Sequence, residues 1–81
     1  RVPDRATLVE RARRIVGDSL PAPDRVLVHY LGGRVEIDMC YPFEVLRQAG
    51  DASLLAARIE DGLGCCPEIR SLRLLGVVAP S

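Results

Sequence analysis

His29 is the only histidine of this 81-residue chain, and Cys40, Cys65 and Cys66 are its only cysteines. Together they form a donor set of the kind zinc takes, about four nitrogen and sulfur ligands. Thiolates and imidazole favour Zn2+, with Cu(I) as the alternative soft ion, over Mg2+ or Ca2+, which prefer hard oxygens. The spacing contains no CxxC pair and no HxxxH pair, so a locally encoded zinc knuckle is excluded. Any site built from these residues has to be assembled by the fold. The competing reading of each cysteine is a small buried hydrophobe.

Composition narrows the setting. Eleven basic and eleven acidic side chains give a formal net charge of zero, so no general field draws the chain to nucleic acid or to an anionic membrane. The apolar runs fall well short of the roughly 20 residues that span a bilayer, and no basic-then-apolar leader opens the sequence. Direct membrane insertion is not expected. An odd number of cysteines, two of them adjacent, predicts reduced thiols in a cytoplasmic chain rather than a disulfide scaffold. Length allows one domain over residues 1–81, with a tail at 1–6 and a proline-rich connector at 18–24.

The elements that must position the donors follow from periodicity. Thr7 and Glu10 have capping-box spacing, and Leu8, Val9, Ala12, Ile15 and Val16 form the apolar stripe of a helix that Gly17 ends. Arg11, Arg13 and Arg14 beside that stripe are balanced by Asp4, Glu10 and Asp18, which predicts a solvated helix face. Pro21 and Pro23 prevent the helix from continuing.

Val26, Val28 and Tyr30 then alternate along one strand and Val35, Ile37 and Met39 along a second, with Gly32 and Gly33 between them, the pattern of a β-hairpin. Pairing the apolar sets forces His29, Glu36, Asp38 and Cys40 onto the other face. Register decides their separation. A turn on Gly32–Gly33 sets His29 opposite Glu36 and leaves Cys40 about 13 Å away, too far for co-ligation. A turn on Gly33–Arg34 sets His29 opposite Asp38 with Cys40 on a diagonal of about 7 Å.

After Pro42, residues 43–49 read as an irregular turn. Asp51 caps a helix carrying Leu54, Leu55, Ile59 and Leu63, and Ile69, Leu72 and Leu74 mark a last strand. The order α-β-β-α-β predicts an α+β, ferredoxin-like sandwich with two helices on one face of a three-stranded mixed sheet. Cys65 and Cys66 then fall near the hairpin end and Cys40 near the opposite end. Either a second copy completes a site with His29 and Cys40, or the vicinal thiols form a separate one. Leu27, Leu31 and Leu75 on the uncovered face favour a homodimer.

In this order, the stretch from Val26 to Gly33, the stretch from Val35 to Pro42, the helix from Leu54 to Leu63 and the segment from Ile69 to Pro80 resemble the cytosolic C-terminal domain of the cation diffusion facilitator family of divalent-metal transporters. The resemblance runs from Thr7 to Pro80. It places His29 and Cys40 where the family's two strand ligands fall, and it implies a dimeric metal-sensing or buffering domain with a membrane metal transporter as a partner. Ser53 stands where the family often has a histidine. Leu74 to Val77 replace its last-strand ligands, and Cys65 and Cys66 are additional. No six-helix transporter portion lies in these residues, so transport is not implied. The alternative is a metal-free interaction module. An enzyme with Cys66 as nucleophile and His29 as its base has no supporting motif.

Overall fold

Asp4, not Thr7, opens the first helix in the computed structural model, which describes residues 3–78. Its carboxylate accepts from the Thr7 backbone N–H at 2.9 Å, so helix α1 runs Arg5–Val16 and takes in two residues expected in the tail. A carboxylate cap is at least as effective as a threonine hydroxyl, and it sits one turn earlier. Gly17, at φ 72°, ends the helix, its N–H donating to the Arg13 carbonyl. Pro80, matched in the family resemblance, lies outside the described residues.

Strands β1 (Arg25–Leu31) and β2 (Arg34–Pro42) form the expected antiparallel hairpin. Gly32 takes the left-handed φ of 64° that a two-residue turn requires. This is the tight register, with His29 opposite Glu36 and Arg25 opposite Cys40. Residues 43–47 are helical rather than irregular: in α2 (Phe43–Arg47) Phe43 and Leu46 lie over the bare backbone of Gly76, and an exposed Glu44–Arg47 ion pair at 2.7 Å accompanies them. Helix α3 (Ala52–Gly64) is capped by Asp51, which accepts from the Ser53 N–H at 2.8 Å. Strand β3 (Ile69–Val77) returns parallel to β2, and the sheet order is β1-β2-β3.

The chain is thus an α+β, ferredoxin-like sandwich with one short α-helix and a single 3-10 turn (Gly17–Ser19) added to the expected order. Val35, Ile37, Met39 and Tyr41 alternate along the central strand and are each at most 1% exposed against Leu8, Ala12 and Val16 of α1. The alternate face of the sheet carries Arg25, His29, Leu31, Arg73 and Val77, all exposed, and has no covering layer among the described residues.

Close approach of α1 and α3 depends on Gly62, where an added Cβ would lie 2.7 Å from Cγ2 of Ile15. Gly62→Ala should therefore destabilise the fold by about 1–3 kcal/mol through overpacking, less up to about 1 kcal/mol of helix propensity. Gly64, with open space within 4 Å of the position a Cβ would take, should accept alanine at no cost. Urea unfolding of the two variants compares them directly.

Candidate functional site

The uncovered sheet face holds one charged cluster of defined geometry, centred on Asp38. This residue is on the central strand, between Leu27 of β1 and Arg73 of β3. Arg73 closes over it as a fork, Nε to Oδ1 at 2.8 Å and a terminal nitrogen to Oδ2 at 3.0 Å. His29 reaches the same carboxylate on the diagonal, Nε2 to Oδ2 at 3.0 Å. The Asp38 side chain is 5% exposed although no described element covers that face, because these two long neighbours roof it, themselves 63% and 48% exposed.

Arg73, ahead of His29, holds the Asp38 carboxyl below the usual carboxylate range, and burial opposes this. The same carboxylate raises Arg73 further above its already high value. An ionised carboxylate with a bidentate guanidinium and an imidazole on it has most of its acceptor capacity filled. The cluster is a structural lock for the strand trio before it is anything else.

The four donors singled out from the sequence do not converge in one copy. His29 lies toward the hairpin end. Cys40 pairs with Arg25 and Leu75, four residues farther along β2 than His29's partner Glu36, a separation of about 13 Å. Cys40 is buried, whereas Cys65 is exposed as the C-cap of α3. Cys66 packs against the core, and its carbonyl accepts from the Ile69 N–H at 2.9 Å. Ile69 pairs with Val35, which puts both vicinal thiols at the hairpin end. The loop that carries them is tied down by an Arg11–Glu68 ion pair. Among the described residues no group of three or more His, Cys, Asp or Glu side chains is arranged to hold a metal ion. Within one copy His29, Cys40 and the Cys65–Cys66 pair thus stand at separate places.

Arg73 is the side chain of this cluster that sequence reasoning misses. A signal for it exists: Leu72 and Leu74 face the core, so Arg73 between them must face Asp38 across the parallel pair.

Replacing Asp38 by asparagine should lower stability by about 1–2 kcal/mol at neutral pH, the range for a charge-assisted hydrogen-bonded group with partly exposed partners. A depressed carboxyl pKa contributes stability above the unfolded value and loses it as pH falls through the folded one. The difference between the parent chain and Asp38→Asn should thus be full above about pH 4 and shrink below it. Chemical denaturation from pH 7 to pH 2 measures both.

No protein-family model and no curated protein matches this chain. Among solved structures it is similar to a zinc form of a variant "MamM CTD", with a TM-score of 0.47 and 16% sequence identity over 95% of this chain and 89% of that one.

Proposed function

We propose that this chain is a regulatory interaction domain of cation diffusion facilitator type that self-associates through the uncovered face of its sheet. In this reading Zn2+, or Cu(I) or another soft or borderline ion, is taken up at a site with donors from two copies or at the vicinal thiols. The observation that carries the proposal is the face itself. Leu31 and Val77, 43% and 51% exposed, stand at its margins, with the Asp38 cluster between them. Charges of both signs lie on that face, Arg34, Glu36, Asp38 and Arg73 among them, so it can be complementary to its own image about a two-fold axis. Apolar side chains at the margins supply the contact area.

For metal, the donors keep the assignments His29, Cys40, Cys65 and Cys66, divided between copies. Stacked faces with antiparallel strands bring His29 of one copy toward Cys40 of the other. Cys65 and Cys66 otherwise form a thiolate pair of their own at the hairpin end. No membrane-crossing role is attached: among the described residues no helix is long and apolar enough to cross a bilayer. A metal-free interaction module is the second reading. It is favoured by one contact, since the Arg73 guanidinium already neutralises the buried carboxylate that an ion on this face would use.

Native mass spectrometry of the reduced protein, with and without zinc, tests the proposal. The expected result is a dimer that Leu31→Glu converts to monomer, with zinc retained per dimer. His29→Ala and the Cys65→Ser, Cys66→Ser pair should each weaken zinc binding about tenfold or more, as expected for loss of a ligand at a site with few donors. A zinc-independent dimer selects the metal-free module. A monomer that binds no zinc overturns both readings.

A further inference from the structure

A second site lies on the opposite side of the molecule, in the groove between α1, the connector at 20–22 and the far end of β2. It is an open groove of about 980 Å³ lined by four arginines and two acids, a local excess of positive charge in a chain whose total is zero. Two of the cations are engaged. Arg14 pairs with Glu10 at 2.9 Å, and Arg5 donates to the Val26 carbonyl at 2.7 Å. Arg13 and Arg58 make no ion pair among the described residues, and the second acid, Asp18, lies on the lining near them.

Two features point to a ligand. Arg58 crosses from α3 to rest on the backbone of Gly17, where an added Cβ would collide with its guanidinium. The guanidinium occupies the space that a Cβ at Gly17 would take. Beneath the cations is Tyr41, 1% exposed, with a buried hydroxyl that has no hydrogen-bond partner among the described residues. Burial raises its pKa, and the charge of Arg13 acts against that rise. A buried hydroxyl left unpaired costs about 1–3 kcal/mol, and phenylalanine would fill the same space without that cost. The rest of the floor, Val16, Leu20 and Met39, is apolar.

We propose that this groove binds a small organic phosphate. Arg13 and Arg58 hold the phosphate, the Tyr41 hydroxyl donates to it when the side chains that cover it in the free protein part, and Val9, Pro21 and Ala22 receive the organic part. Two guanidinium groups from different helices and a hydroxyl offer donors in more directions than the plane of a carboxylate can use, whereas a tetrahedral dianion can accept them all. The site is independent of self-association and of metal.

Phenyl phosphate, titrated at constant ionic strength into the isotope-labelled chain and followed by amide NMR shifts, is the test. Saturable shifts at Gly17, Tyr41 and Arg58 are expected, with tighter binding than inorganic phosphate. Arg13→Gln and Arg58→Gln should each weaken binding about tenfold, one charge-assisted contact apiece. Tyr41→Phe should weaken binding while raising the melting temperature of the ligand-free protein. Arg13→Gln leaves the Gly17 contact untouched and so separates binding from folding. Absence of saturable shifts, unchanged affinity in Arg13→Gln, or a response to anionic lipid vesicles but not to phenyl phosphate would overturn the proposal.

Discussion

A two-residue glycine turn sets the register on which everything on the uncovered face depends. With Gly32 in the left-handed region, the hairpin closes at its shortest length, and each outward side chain of β1 acquires a fixed neighbour on β2. His29 falls opposite Glu36, diagonal to Asp38 and remote from Cys40. One residue more in the turn would exchange the two faces of a strand and place imidazole where valine now packs. The distance between two sulfur- and nitrogen-bearing side chains is thus decided by backbone geometry some distance from either.

The central strand carries opposite demands on its two sides. Inward it contributes Val35, Ile37, Met39 and Tyr41 to the core, and outward it carries a carboxylate that must remain ionised while nearly hidden from water. Burying such a charge is unfavourable unless its hydrogen-bonding capacity is filled. Arg73 and His29 fill it from the two flanking strands, and this gives each strand of the sheet a polar tie to the same residue. A sheet face without a covering layer is roofed instead by its own long side chains.

Much of this is legible in the sequence. The strand alternation around Val26 and Val35, the parallel return of β3 and the Asp51 cap follow from residue types at fixed spacing. The cap of α1 is harder to place because two acceptable caps, Asp4 and Thr7, stand within one turn, and only the contact of Arg5 with the Val26 carbonyl distinguishes them. Residues 43–47 form too short a pattern to register as a helix; the packing of Phe43 and Leu46 on Gly76 makes it one. The site is less legible still, since the chemistry-bearing residues draw attention by type while their convergence depends on register. Arg73 escapes notice because an arginine in a strand reads as solvated until its cross-strand neighbour is known.

The two bonds to Asp38 differ in the length of chain they close. His29 is nine residues away and belongs to the same hairpin, whereas Arg73 is 35 residues away across α2 and α3. Local closure is entropically easier and faster than distant closure. The imidazole bond lies within the hairpin, whereas the guanidinium fork exists only with the C-terminal strand docked beside the central one.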